Sequence, residues 1–88
     1  MKKTYFPSNA ELEEAVIKAM ENLGGVADVP SINKEVIRIL ELPDYIVELE
    51  DESGIGTKLD YRLRWCRTNL KSKNKVKNLS RGIWSVID

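Results

Sequence analysis

Apolar side chains recur at three- and four-residue intervals along much of this chain, then switch to two-residue intervals near its end. Leu12, Val16, Ala19 and Leu23 form the first stripe, flanked by Ala15 and Met20, with the period of one helix face. Ser8 and Glu11 stand ahead of it at the N-cap and N3 spacing of a capping box, and Gly24-Gly25 supplies a left-handed stop. Glu11, Glu13, Glu14, Lys18 and Glu21 make its outer, solvated face. Val26 to Val29 reads as a short extended piece leading into Pro30. Ser31 then caps a second helix whose inward stripe is Ile32, Val36, Ile37 and Leu40. Leu42-Pro43 ends that helix, because a residue before proline is pushed out of helical geometry. Pro43 suits the opening of a further short turn reaching Leu49.

Residues 48–56 read as an acidic loop. Gly54-x-Gly56 has the look of a phosphate loop, but Glu48, Glu50, Asp51 and Glu52 just before it would repel phosphate, so the glycines are turn residues. Thr57, three positions before Asp60, caps a third helix running to about Ser72. At about 100° per residue, Leu59, Leu63, Cys66 and Leu70 share one narrow face. Arg64, Arg67 and Lys71 lie together beside it, Tyr61, Trp65 and Thr68 share another side, and Arg62 sits apart. Asn74 suits a left-handed exit. Val76–Leu79 and Ile83–Ile87 have strand composition and are joined by the tight turn Ser80-Arg81-Gly82, with Trp84 and Val86 on one face closing the core. The expected fold is α+β, mostly α: three helices and a C-terminal β-hairpin, the layout of a winged helix.

Charge changes this picture. Residues 1–56 hold five basic side chains against twelve acidic ones, a balance of −7, and residues 57–88 hold nine against two, a balance of +7. The net charge of zero hides a dipolar molecule whose basic third has the footprint of a polyanion site. A solvated basic helix paired with the acidic half of its own chain is the alternative.

The 88 residues suit one small domain. With a single cysteine there is no internal disulfide, and no apolar run approaches a membrane span. Met1-Lys2-Lys3-Thr4-Tyr5-Phe6-Pro7 turns polar at Ser8 before a signal-peptide core could form, which gives the chain a cytoplasmic character. The absence of histidine removes the commonest general base, zinc ligand and nucleophile partner. A carboxylate–lysine nuclease site would not need one, yet no Glu-x-Lys follows Pro43-Asp44 at a workable distance. Catalysis, a bound metal and a cofactor are therefore not expected of this chain.

The segment Asp60-Tyr-Arg-Leu-Arg-Trp-Cys-Arg-Thr-Asn-Leu-Lys71, followed by Ser80-Arg-Gly-Ile-Trp-Ser-Val-Ile87, resembles the N-terminal winged-helix domain of Mrr-type restriction endonucleases. Members of that family look like Arg-x-x-Trp-Ala-Arg-x-x-Leu-Lys, then Arg-Gly-(Val/Ile)-(Trp/Tyr)-x-Ile. Arg62, Trp65, Arg67, Leu70 and Lys71 match, with Cys66 in place of alanine, as do Arg81, Gly82, Ile83, Trp84 and, more loosely, Val86. Asn74 stands where the family usually has glycine, and the family's catalytic nuclease domain is absent from these residues. The resemblance implies a domain that binds double-stranded DNA, with a preference for methylated DNA open. It is either the recognition module of a larger enzyme, partnered with its nuclease domain, or a free-standing relative.

The expected contacts follow. Arg64, Arg67 and Thr68 face the groove, and Lys71, Lys75, Lys77 and Arg81 meet flanking phosphates. Thr57, Lys58 and Arg62 complete the set. Trp65 and Trp84 are read as core, although Trp65 could also stack on an unpaired base. Cys66 is a small hydrophobe. Tyr61 is open between a half-buried rim and a phosphate contact. The rival reading is a winged-helix protein-interaction module, whose acidic half docks a basic partner.

Overall fold

The computed structural model describes residues 6–54 and 56–87. Met1–Tyr5, including Lys2 and Lys3, and Asp88 lie outside the described residues. Helix α1 spans Asn9–Asn22, and its capping box is complete: the Ser8 hydroxyl accepts from the Glu11 amide at 3.2 Å, and the Glu11 carboxylate accepts from the Ser8 amide at 3.1 Å. Such a cap stabilises a helix start by about 1 kcal/mol. Gly24 and Gly25 follow with φ of 94° and 92°, a left-handed exit that turns the chain into strand β1, Val26–Asp28.

Helix α2 spans Val29–Leu40 and corrects one expectation. Its N-cap is Asp28, not Ser31; the Asp28 carboxylate accepts from the Ser31 amide at 2.8 Å, with Pro30 inside the first turn, where its missing N–H costs nothing. These hydrogen bonds hold the Asp28 carboxyl below its ordinary value. Glu41 ends the helix in the left-handed region with φ 51°. Pro43 then caps a single helical turn, α3, Asp44–Val47. It stands just outside this turn rather than at its first position.

The acidic loop is built, not open. Glu50 and Thr57 form a β-bridge, the Asp51 amide donates to the Gly56 carbonyl at 3.1 Å, and the Lys58 amide to the Leu49 carbonyl at 2.8 Å. Asp51 also accepts from the Ser53 amide at 3.0 Å, which lowers its pKa. Thr57 then caps helix α4, Lys58–Ser72, through the Asp60 amide at 3.2 Å. Asn74, at φ 60°, takes the left-handed exit.

Strands β2, Val76–Ser80, and β3, Ile83–Val86, form a hairpin whose turn is Arg81-Gly82, with Gly82 at φ 78°. The register steps between Asn78 and Ser80, leaving Leu79 as a bulge, and the Asn78 amide closes the step by donating to the Ser80 and Ile83 carbonyls. The extended piece at Val26–Asp28 is a true strand. It pairs antiparallel with β3, so the sheet is three-stranded in the order β1-β3-β2. The Gly82 carbonyl accepts from the Val29 amide at 3.1 Å, pinning the hairpin turn to the start of α2.

The core lies among α1, α2 and α4, floored by the sheet. Leu12, Val16, Ala19 and Met20 of α1 meet Ile32 and Val36 of α2 and Leu59, Leu63, Cys66 and Leu70 of α4, with Val76 beneath. Ile37 and Leu40, expected inside, are half-buried at the rim of this cluster. Trp84 and Val86 pack against it from β3, as their period-two spacing predicts.

Candidate functional site

Helix α4 carries most of the charge asymmetry, and the structure sorts its basic residues into distinct settings. Arg64, Thr68 and Lys71 lie on its exposed face. Thr68 bonds back to the Arg64 carbonyl at 3.1 Å, a local contact that leaves its methyl on the surface. Among the described residues, neither the Arg64 nor the Lys71 side chain has an acidic partner. On the hairpin, Lys77 alternates with buried Val76 and so points from the outer face of the sheet, and Arg81 occupies the turn. Both are exposed.

Four other expected contacts lie elsewhere. The Thr57 hydroxyl is occupied as the α4 cap. Lys58 and Arg62 are half-buried against the Phe6 ring, at 4.6 Å and 5.7 Å from its centroid, and Arg62 also donates to the Asn9 side chain at 3.0 Å. They belong to the opposite flank of α4, toward α1. Lys75 is turned away from the α4 face and lines a groove of about 740 Å³ with Glu13, Ile17 and Glu21. In the same groove Lys73 is neutralised by Glu13 at 3.0 Å.

Arg67 departs furthest from expectation. It is only 7% exposed, enclosed by α2, α4 and β3. Its guanidinium donates to the Asn33 side chain at 3.3 Å and lies 5.9 Å from the Trp84 ring centroid, while its Nε–H has no partner. Burial, and then the neighbouring Arg64 charge, push its pKa down, and Asp60 opposes them. Asn33 also donates to Asp60 at 3.4 Å, so a polar seam joins α2 to α4. The helical angle gives the reason: position 67 falls about 70° from the centre of the Leu59–Leu70 stripe, against about 130° for position 65.

Trp65 is the converse correction. It is 51% exposed, not core, and Tyr61, one turn earlier, is 46% exposed. The two rings meet edge to face, with centroids 6.5 Å apart. Cys66 beside them is buried, and burial pushes its thiol up to about 11, so it is inert at neutral pH.

Among the described residues no group of three or more histidine, cysteine or acidic side chains could hold a metal ion, and no helix is long and apolar enough to cross a membrane. The molecule is thus a mostly helical α+β domain with a three-stranded antiparallel sheet and a basic helix directly before its hairpin. The Mrr N-terminal domain family matches residues 10–88, and the chain belongs to that family. Membership associates it with restriction, through an N-terminal domain and not the catalytic nuclease domain. No curated protein and no solved structure matches the chain.

Proposed function

We propose that this domain is a winged helix that binds double-stranded DNA for a restriction system, with α4 in the major groove and the β2–β3 hairpin as its wing. The element order, with β1 between the first two helices and β3 central in the sheet, supports the fold reading. The observation that carries the functional reading is the set of exposed cations on α4 and the hairpin: Arg64, Lys71, Lys77 and Arg81. The first helices hold most of the acids, so the field falls off across the molecule. Arg64 and Thr68 are the candidates for base edges, and Lys71, Lys77 and Arg81 for phosphates. Arg67, enclosed as it is, supports α4 from beneath. Catalysis falls to a separate nuclease domain.

Salt titration tests this. With three cations on phosphates, log affinity for a duplex should fall against log salt with a slope of about −3, and affinity near physiological salt should be roughly micromolar. Lys77→Ala should make the slope shallower by about one, while Lys75→Ala, on the far groove, should leave it unchanged. Binding that does not respond to salt, or equal effects from both variants, would refute the assignment.

A second reading rests on the groove itself. Ile17, Ile39, Leu40, Val86 and Ile87 give it an apolar floor, and Glu14 and Glu21 stand on its rim. Lys18, Lys73 and Lys75 line it as well, so the groove carries both signs and suits docking of an amphipathic partner segment. Under this reading, Ile17→Asp should abolish partner capture and leave the salt slope intact.

A further inference from the structure

Exposing two adjacent aromatic rings on one helix is costly for a domain this small, because each ring could have contributed its area to the core. Trp65 and Tyr61 nonetheless stand out from α4, and beside them opens a shallow cleft of about 310 Å³ bounded by Asn9, Tyr61, Arg62, Trp65 and Asn69. The two amides in this cleft have fixed orientations. Asn9 accepts from the Arg62 guanidinium, a pure donor, so its oxygen faces Arg62 and its NH2 has no partner among the described residues. Asn69 donates to the Glu13 carboxylate at 3.4 Å, a pure acceptor, so its carbonyl oxygen is the group without a partner among the described residues. A flat aromatic face therefore borders one unpaired amide donor and one unpaired carbonyl acceptor. Lys58 and Arg62, held against Phe6, add positive charge on the same flank of the helix.

A ring to stack on, a donor and an acceptor for an exposed edge, and cations for the backbone are the elements that hold an unstacked base. The paired bases of an intact duplex offer no free face to such a cleft. By helical angle Tyr61 and Trp65 stand next to Thr68, while Arg62 and Asn69 lie further round toward α1, so the cleft adjoins the face proposed for the duplex and extends beyond it. We propose that the cleft beside Trp65 is a nucleobase site, which takes an unstacked base from a single strand or from an unpaired position in a duplex. This rests on the nucleic-acid reading above.

The test uses the whole chain and three labelled oligonucleotides: a fully paired duplex, the same duplex with one unpaired nucleotide, and the single strand. Trp65→Ala should weaken binding to the bulged duplex, the single strand or both by about five- to hundredfold. It should change paired-duplex binding less than about twofold. Trp65→Phe, which keeps a ring, should retain most of the affinity. In a Trp84→Phe background the emission of Trp65 should be quenched by the same oligonucleotides and not by the paired duplex, and if that background fails to fold, Asn69→Asp serves as a second weakened variant. Loss on the bulge alone, or on the strand alone, identifies the source of the base. If Trp65→Ala binds each of the three as tightly as the parent does, the inference is overturned while duplex binding stands. An equal loss on the paired duplex also overturns it, since Trp65 would then touch paired base edges. Failure of the parent protein to bind any of the three removes both readings.

Discussion

Helices α1 and α4 are close in length, lie against each other and begin with side-chain caps, yet they divide their residues in opposite ways. Every buried residue of α1 is apolar, and its outer face carries the acids. Helix α4 turns an arginine inward at position 67 and leaves a tyrosine and a tryptophan outside. Helix α1 is organised around the core, whereas α4 gives up core stability for the chemistry of its surface. That contrast separates a helix whose buried face is wholly apolar from one that encloses a charge and exposes two rings.

The sharpest way to break the comparison is to remove apolar bulk on either side of α4. Leu63→Ala empties a fully buried position and should cost about 2–5 kcal/mol in urea unfolding. Trp65→Ala, a larger truncation two residues on, should stay within about 0.5 kcal/mol because the ring is exposed. A cost at Trp65 comparable to that at Leu63 would mean that α4 is an ordinary core helix.

A smaller effect separates the two arginines. Arg67→Met replaces a buried charge with an apolar chain of similar length and should leave stability unchanged or raise it by about 1 kcal/mol. Arg64→Met should not move stability, but it should weaken duplex binding. A large loss of stability in Arg67→Met would show the polar seam with Asn33 to be essential to the fold.

The smallest effect is electrostatic and belongs to the α1–α2 side. Glu35 accepts from Arg38 at 2.6 and 2.9 Å and from Asn22 at 3.0 Å, which lowers its pKa from 4.5 to about 2. A carboxylate with a depressed folded-state pKa contributes stability above its unfolded value. This contribution is lost as pH falls from about 4.5 through about 2. The Glu35→Gln variant should therefore show a flatter decline in stability over that interval, as read by unfolding at stepped pH. An identical decline in parent and variant would leave the network without thermodynamic weight.

The features legible in the sequence are those that depend on near neighbours. Ser8 with Glu11, Thr57 with Asp60, and the left-handed Asn74 each act within a few residues, and the family resemblance rests on one contiguous helix and hairpin. Asp28 hid behind Pro30, because a serine just after a proline looks like a cap until the aspartate three residues before it is considered. Trp65 and Arg67 exchange places because residue type argues against helical angle. Position 65 points far from the apolar stripe and position 67 near it, and angle decides. Lys75 depends on the packing of the β3 end against α1, which no local pattern encodes.

The strand order has a consequence in time. Strand β3 lies between β1 and β2, yet it comes after both along the chain. Until it leaves the ribosome, β1 has no partner, β2 has only its own turn, and the helices lack their floor. The domain therefore acquires its sheet in one late event, closed by a contact distant in sequence, and cleavage or a stop before Ile83 would leave two strands that never touch.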